Sequence, residues 1–155
     1  MKRKRAPFQI LVVPFKQESS GQLLYAVLRR DAETGGYWQF VAGGGEEGEK
    51  PLEAAKREGE EEAGIDPAAE YIPLDSMTTI PVVNICGFRW GQRTLVVPEY
   101  SFGANMTAQN IRLSREHTEY RWVTFDTAQK LLQWDSNKSA LWELHYRLQR
   151  PQRAG

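Results

Sequence analysis

The stretch from Gly43 to Ile65 reads GGGEEGEKPLEAAKREGEEEAGI, and it carries the strongest structural signal in this chain of 155 residues. Pro51 suits the first turn of a helix, where its missing N–H group would have no helical partner in any case. Gly64 suits the end of a helix, because glycine readily adopts the left-handed conformation that closes many helices. The pattern therefore predicts a glycine-rich loop followed by a helix over residues 51–63.

Three glutamates of this helix share one face. Glu58, Glu61 and Glu62 stand at positions i, i+3 and i+4, and like charges at this spacing repel one another. A sequence selected for helix stability alone would alternate them with lysine. Carboxylate oxygens suit Mg²⁺ or Mn²⁺, and Mg²⁺ usually acts together with substrate phosphates. We therefore expect the three carboxylates to bind Mg²⁺, or alternatively Mn²⁺, next to a phosphate-containing substrate.

A second stripe of the same helix consists mainly of small residues. Leu52, Ala55, Gly59 and Ala63 fall together on a helical wheel, beside the face that carries the three glutamates. A glycine inside a helix costs roughly 1 kcal/mol relative to alanine. We therefore expect the small stripe to pack inward and Gly59 to permit close approach of a neighbouring backbone.

The residues around the glutamates also favour a binding site. Arg57 lies beside the acidic face, and its guanidinium group can hold a carboxylate through two hydrogen bonds. Gly43, Gly44 and Gly45 allow backbone groups to approach a metal or a phosphate closely. A solvated acidic helix behind a flexible loop is the alternative interpretation. The combination of glycines, Glu49, Arg57 and the spaced glutamates disfavours it.

Length and composition indicate one globular domain spanning residues 1–155. The formal net charge is zero, so no overall field attracts nucleic acid or a membrane, and we expect neither as a partner. Cys86 is the single cysteine, which excludes an internal disulfide and fits a cytoplasmic location. The basic residues 1–6 are expected to form a disordered tail. With the apolar run that follows they superficially resemble a signal peptide, but that run is short, so we interpret it as a first strand behind the tail.

Hydrophobic patterns and turn residues predict a sheet with one inserted helix and two terminal helices. Asp126 is predicted to cap a helix that ends at Leu132, and Ser136 a longer helix that ends near Arg150. Residues 91–92 are predicted to form the turn of a hairpin between two strands. This element order favours an α/β fold with a mixed sheet over a doubly wound one. The predicted strands cover residues 8–15, 22–30, 37–42, 80–90, 93–101 and 120–124.

The opening stretch resembles the Nudix box, G-x5-E-x7-R-E-U-x-E-E-x-G-U, in which U is a bulky apolar residue. Gly59 occupies the first apolar position and departs from the pattern, which bears on local packing more than on chemistry. The resemblance implies a Nudix-type α/β/α sandwich with a mixed β-sheet flanked by helices. The positions that match at the required spacing are Gly43, Glu49, Arg57, Glu58, Glu61, Glu62, Gly64 and Ile65.

The resemblance also implies roles for the residues of the box. The three spaced glutamates would bind Mg²⁺ with help from the backbone carbonyl near Gly43, and Arg57 and Glu49 would orient them. Nudix enzymes hydrolyse a nucleoside diphosphate that is linked to a further group. Divalent ions suit this reaction because they lower the pKa of water and neutralise the leaving pyrophosphate.

The general base of Nudix enzymes lies either in the box or on a later loop. Residues 114–122, SREHTEYRW, resemble the E-H-x-x-Y-x-W segment of the branch that hydrolyses dihydroneopterin triphosphate and dATP. The resemblance implies that Glu116 is an extra metal ligand or the base, with Glu119, His117 and a glutamate of the box as competitors. We favour a surface position for His117 and a pairing with Arg121 or solvent for Glu119.

Aromatic and basic residues outside the box are candidates for substrate binding. Trp38 and Trp90 can stack on a purine or pterin ring, and Arg29 can contact a triphosphate. Ordinary packing or solvent exposure is the alternative for each of the three. The prediction is a Mg²⁺-dependent pyrophosphohydrolase that converts a dATP-like nucleoside triphosphate or dihydroneopterin triphosphate to a monophosphate and pyrophosphate. The sequence is compatible with a monomer or a homodimer.

Two other functions remain open from the sequence. The first is hydrolysis of ADP-ribose, another sugar nucleotide or a dinucleoside polyphosphate. Pro81 lies 16 residues past Ile65, near the spacing of a proline in the ADP-ribose branch, but a proline at the edge of a strand is the commoner explanation. The second is a non-catalytic Nudix-fold module that binds nucleotides, which the intact charged positions of the box disfavour.

Overall fold

The computed structural model describes residues 4–150, which form seven strands, three α-helices and two short 3₁₀ helices. No helix within that range has the length and apolarity needed to cross a membrane. The strands are β1 (Arg5–Gln17), β2 (Leu23–Arg30), β3 (Trp38–Gln39), β4 (Val41–Glu46), β5 (Tyr71–Pro81), β6 (Val96–Asn105) and β7 (His117–Val123). The helices are α1 (Pro51–Ala63), α2 (Phe125–Leu131) and α3 (Asp135–Gln149), and the 3₁₀ helices are Ala32–Thr34 and Val82–Asn84.

The strands join in one mixed sheet. Its main order is β3-β2-β1-β6-β5, while β4 pairs with β1 and β7 pairs with β2. The central pair, β1 and β6, is parallel, and the other pairs are antiparallel. This arrangement confirms the predicted α/β class with a mixed sheet.

Alternating residues of β1 pack against opposite layers of helices. Ile10 and Val12 belong to the core that includes Ala54 and Ala55 of α1. Leu11 and Val13 belong to a second core that includes residues of α2 and α3. Successive side chains of a strand point to opposite faces, so a continuous apolar run suits a strand that is covered on both sides. The result is the predicted α/β/α sandwich.

Helix α1 begins and ends where the sequence predicts. The Lys50 N–H group donates to the Glu53 carboxylate at 2.9 Å, which supplies a partner at the start of the helix. Gly64 ends the helix with φ of 70°, and its N–H group donates to the carbonyl oxygen of Glu60. Only glycine adopts this left-handed conformation at little cost, which explains the terminating residue.

Gly59 is explained by a side chain and not by the expected close backbone. A Cβ atom at this position would overlap the hydroxyl oxygen of Tyr71 and would lie 3.3 Å from Cδ1 of Ile65. Tyr71 is the first residue of β5, so its ring comes from outside the helix to fill the space beside it. The apolar side chain missing from the box is therefore replaced by an aromatic ring from the sheet.

The predicted hairpin at residues 91–92 is wrong. Strand β5 pairs antiparallel with β6, and residues 82–95 connect them through a 3₁₀ helix and turns. The prolines within β5, Pro73 and Pro81, obscured this strand in the sequence. They are tolerated because β5 lies at the edge of the sheet, where fewer backbone donors need a partner.

Three predicted boundaries also differ from the structure. Thr124, not Asp126, caps α2, since its hydroxyl oxygen accepts a hydrogen bond from the Thr127 N–H group. Helix α3 begins at Asp135 and follows Trp134, so Ser136 lies inside it. Residues 4–6 do not form a tail, because β1 begins at residue 5 and pairs there with β4. Residues 1–3 of the predicted tail lie outside the described residues.

Candidate active site

Arg57 lies at the centre of the site and contacts several glutamates, of which Glu49 and Glu58 are the nearest. Its Nε and Nη2 atoms donate to the two carboxylate oxygens of Glu49 at 2.8 and 3.1 Å. Its Nη1 atom donates to Oε1 of Glu58 at 2.9 Å, and Nη2 also donates to the carbonyl oxygen of Gly44 at 2.9 Å. The hydrogen bonds to Glu49 are the main reason that the pKa of Arg57 is raised. The predicted carboxylate clamp is therefore present, and it ties α1 to β4.

Gly43 makes room for the Glu58 carboxylate. A Cβ atom at Gly43 would lie 2.6 Å from Oε1 and 2.7 Å from Oε2 of Glu58. The other two glycines accommodate different groups: a Cβ atom at Gly45 would overlap the Phe8 ring, and one at Gly44 would lie 3.2 Å from Nε2 of Gln9. The glycine run therefore lets side chains pack on β4, and at Gly43 that side chain is a predicted metal ligand.

Replacement of Gly43 by alanine tests this fit. The added methyl group must displace the Glu58 carboxylate, so we expect kcat to fall by about 100-fold, as misplaced reacting groups commonly cost. Overpacking is also expected to reduce stability by about 1–3 kcal/mol. Steady-state kinetics and thermal unfolding measure the two effects. The neighbouring Gly44→Ala is the control for kcat at saturating substrate, because its methyl group would meet the flexible ends of Arg5 and Gln9 and no predicted metal ligand. Equal kinetics for both variants would contradict the role of Gly43.

Glu62 is the most buried of the predicted metal ligands. Its side chain is 5% exposed, and its Oε2 atom has no hydrogen-bond partner. Burial raises the pKa of Glu62 to about 10, and the nearby charge of Glu58 and a hydrogen bond with Glu116 act in the same direction. Burial also raises the pKa of Glu58, against the opposing effect of Arg57. Such crowded, desolvated carboxylates need a compensating positive charge.

Glu61 differs from the other two glutamates in exposure. Its side chain is 58% exposed and contacts Nη1 of Arg57 at 3.4 Å. Among residues 4–150, no three acidic, histidine or cysteine side chains are already arranged to hold a metal ion. Since Arg57 engages both Glu58 and Glu61, the three glutamates share a helix face without converging on one point. Their carboxylates would have to rotate to share a ligand.

The later acidic residues separate into two groups. Glu116 lies at the site, because it interacts with Glu62 and pairs with Arg30 at 3.5 Å. Glu119 instead pairs with Arg29 at 3.1 Å and with Arg121 at 3.7 Å. The structure therefore brings Glu116 to the box glutamates and engages Glu119 elsewhere, in part through the predicted pair with Arg121.

The predicted surface position of His117 is wrong. His117 is the first residue of β7 and is only 5% exposed. Burial is the main cause that lowers its pKa to about 4, with a smaller effect from Arg30. Its Nε2 atom lies 3.4 Å from the amide nitrogen of Gln39. His117 is therefore a buried, neutral imidazole of the sheet that contacts Gln39.

A cleft of about 700 Å³ reaches Gly43 of β4, the residue that lies against the Glu58 carboxylate of α1. Tyr37 and Trp134 line it, with ring centroids 5.2 Å apart in an edge-to-face arrangement. A second cavity, of about 720 Å³ near His145, is lined by none of the box residues. The polar residues that line the first cleft include Gln9, Arg30, Gln39, Thr78, Glu99, Ser136 and Asn137.

The three predicted substrate-binding residues do not line this cleft. The guanidinium groups of Arg29 and Arg121 lie over the Trp38 ring, 5.9 and 5.0 Å from its centre. The indole N–H group of Trp90 donates to the carbonyl oxygen of Arg5. The alternation of side chains along an extended segment could have shown this. Successive residues face opposite sides, so Tyr37 and Gln39 line the cleft while Trp38 faces away from it.

The structure is an α/β/α sandwich in which an acidic helix lies near a polar cleft. Carboxylates in such a position suit divalent cations, so the arrangement is typical of proteins that act on phosphate compounds. A family model of the NUDIX domain matches residues 7–143. The chain belongs to the Nudix hydrolase family, which confirms the resemblance read from the box.

Individual relatives extend this comparison. The dihydroneopterin triphosphate diphosphatase of Escherichia coli K12 is 31% identical over 140 residues, which cover 88% of this chain and 91% of the relative. A solved Nudix hydrolase from Listeria monocytogenes superposes with a TM-score of 0.83 at 42% identity, covering 92% of this chain and 94% of that chain. An octanoyltransferase of Myxococcus xanthus is 32% identical over 108 residues, but this chain spans 27% of that protein's length.

Proposed function

We propose that this protein is a divalent-metal-dependent pyrophosphohydrolase. Its substrate would be a nucleoside triphosphate or a pterin triphosphate, and its products a monophosphate and pyrophosphate. The observation that carries this proposal is the buried Glu62, whose unpartnered oxygen lies on the acidic helix face near Glu116. A relative that covers nearly the whole chain is named for hydrolysis of dihydroneopterin triphosphate, which supports the substrate class.

The acidic face fits the metal that the family generally uses. Nudix hydrolases generally use divalent metals such as Mg²⁺. Two observations support the fit here: the orphaned Oε2 atom of Glu62, and the space that Gly43 leaves for the Glu58 carboxylate. We assign Glu58, Glu61 and Glu62 as metal ligands, together with the backbone at Gly43. When bound, the metal would activate water and neutralise the charge of the leaving pyrophosphate.

The remaining charged residues would position the ligands and the water. Arg57, fixed by Glu49, holds the Glu58 carboxylate at a set distance from β4. Glu116 is our candidate for the general base, since it interacts electrostatically with the buried Glu62 and its side chain is 58% exposed toward solvent. A base in this position can accept the proton of an attacking water.

Replacement of Glu116 by glutamine is expected to lower kcat by about 100-fold, which is a common contribution of a general base. The change removes the proton acceptor and keeps the size of the side chain. The matched control is Glu119→Gln, which removes a carboxylate of the same strand region that pairs with Arg29. Steady-state turnover of the best substrate compares the two variants. If both lose activity equally, Glu116 has no special role as a base.

A substrate panel tests the function itself. The panel contains dihydroneopterin triphosphate, dATP, dGTP, ADP-ribose and a dinucleoside tetraphosphate, with Mg²⁺ and with EDTA. We expect monophosphate and pyrophosphate from at least one triphosphate, detected by mass, and no product with EDTA. Cleavage of ADP-ribose or of the dinucleoside compound with inert triphosphates would overturn the proposed substrate class. Tight binding without any product would indicate a non-catalytic module.

A further inference from the structure

Two buried polar residues form part of the floor of the cleft. Gln9 of β1 and Glu99 of β6 are 8% and 6% exposed, and they pair in register across the parallel strands. Further along the same face of β1, Leu11 and Val13 are apolar and lie beneath α2 and α3. The face therefore changes from apolar to polar where the helices end and the cleft begins. An apolar pair would have packed there at lower cost, because buried polar groups are unfavourable without partners.

The two residues present one unpaired acceptor and one unpaired donor. The Oε1 atom of Glu99 and the Nε2 atom of Gln9 are buried and have no hydrogen-bond partner. The neighbouring polar residue Asn137 is satisfied, since its Oδ1 atom accepts from the Phe40 N–H group at 2.9 Å and its Nδ2 atom donates to Ser136. Unpaired buried groups in a native fold are uncommon and need an explanation.

A planar heterocycle would satisfy both groups if one of its edges carried an acceptor for Gln9 next to donors for Glu99. An amide N–H group next to a carboxylate complements a ring carbonyl oxygen that is followed by a ring N–H and an exocyclic amino group. That sequence of groups is the 2-amino-4-oxopyrimidine edge, which guanine and pterins share. Adenine instead places an unprotonated ring nitrogen beside its amino group, and this nitrogen repels an ionised carboxylate. The rings of Tyr37 and Trp134 line the same cleft and can contact the faces of the heterocycle.

We propose that Glu99 determines substrate specificity by accepting hydrogen bonds from the 2-amino-4-oxopyrimidine edge of the substrate, while Gln9 donates to its carbonyl oxygen. This inference rests on the proposed function, and it narrows the substrate class to guanine or pterin triphosphates. The ionisation state of Glu99 is compatible with this role. Burial raises its pKa to about 7, opposed by a hydrogen bond with Ser136, and two N–H donors would further favour the charged form.

The test compares kcat/KM for dihydroneopterin triphosphate, dGTP and dATP in the unmodified protein and in Glu99→Gln. We expect the unmodified protein to prefer at least one of the first two substrates over dATP by roughly 100-fold, since unpaired buried groups reject poorly matched ligands strongly. The amide of Glu99→Gln can donate to the adenine ring nitrogen and accept from the amino group. The variant should therefore lose roughly 100-fold on the preferred substrate and keep or gain activity on dATP. The ratio of kcat/KM for dihydroneopterin triphosphate to that for dGTP shows whether the preferred ring is a pterin or a guanine.

Two outcomes would overturn the proposal: no change in selectivity, or an equal loss on all three substrates in a variant that unfolds at an unchanged temperature. Gln9→Leu is the second variant, and it should reduce the same preference in the same direction. If no triphosphate is hydrolysed, the proposed function fails, and binding then tests the inference separately. In that case neopterin, guanosine and adenosine are titrated into the unmodified protein and into the Glu99→Gln variant. The variant should bind neopterin or guanosine more weakly, and its binding of adenosine should not weaken.

Discussion

Replacement of Glu62 by glutamine is expected to lower kcat by roughly 1000-fold, the upper range for loss of one group that stabilises the transition state electrostatically. Glutamine has the shape of glutamate but lacks the negative charge that a divalent cation requires. The reason for the large effect is that Glu62 is the deepest carboxylate on the acidic face, with a buried oxygen free to bind a ligand. Pyrophosphate release at saturating substrate and Mg²⁺ measures it.

The same variant should fold at least as stably as the unmodified protein when metal is absent. The buried carboxylate of Glu62 is disfavoured by desolvation and by the neighbouring charge of Glu58, and the amide removes both costs. The matched control is Glu60→Gln, which changes an exposed glutamate of the same helix and should leave kcat within twofold. An unchanged kcat for Glu62→Gln with a normal unfolding temperature would exclude Glu62 as a metal ligand.

Replacement of Arg57 by alanine is expected to impair both stability and activity. The side chain of Glu49 is 9% exposed and that of Glu58 is 13% exposed, so the change leaves two buried carboxylates without their main partner. Loss of one member of a buried ion pair commonly costs about 3–5 kcal/mol. For a protein of this size, the lower value corresponds to a fall in Tm of roughly 6–12 °C. Differential scanning calorimetry measures this shift.

Arg57→Lys separates charge from geometry. Lysine keeps the positive charge but cannot hold both oxygens of Glu49 and reach Glu58 and the Gly44 carbonyl at once. We expect the lysine variant to recover part of the stability and little of the kcat. The control is Arg147→Ala, since the Arg147 side chain is 44% exposed and its partner Asp75 is exposed. Its other partner, Glu143, keeps the hydrogen bonds from the N–H groups of Asp75 and Ser76, so we expect a loss of about 1 kcal/mol or less. Full activity of Arg57→Lys would show that charge alone suffices.

The box helix was predictable because its signals are local. Its first and last residues, its acidic face and its small stripe all follow from spacings within one short stretch. The class of fold was also predictable, since β1 carries the continuous apolar run of a strand that is buried on both sides. Strand β5 was not, because its prolines disfavour a strand unless their missing N–H groups fall where no hydrogen bond of the sheet is needed, and that depends on the assembled sheet.

The substrate-binding residues were harder to predict than the box. Trp38 and Trp90 were chosen for their aromatic character, but the structure pairs one with arginines and hydrogen-bonds the other to β1. Tyr37 and Trp134 line the cleft instead, although they lie far apart in the sequence. Aromatic character shows that a side chain can stack on a ring. Whether the side chain faces the cleft, where a ring could bind, is visible only in the folded structure.

The sequence by itself determined the family, the acidic face of α1 and the bounds of that helix. These features depend on residues within a few turns of one another, where helical geometry sets every spacing. Tertiary structure alone decided why Gly59 is tolerated, since the space beside it is filled by Tyr71 from β5. It also decided the pairing of Gln9 with Glu99, because parallel pairing joins distant strands and no local pattern encodes its register. The chemistry of the box is therefore local, whereas substrate recognition depends on contacts between distant parts of the chain.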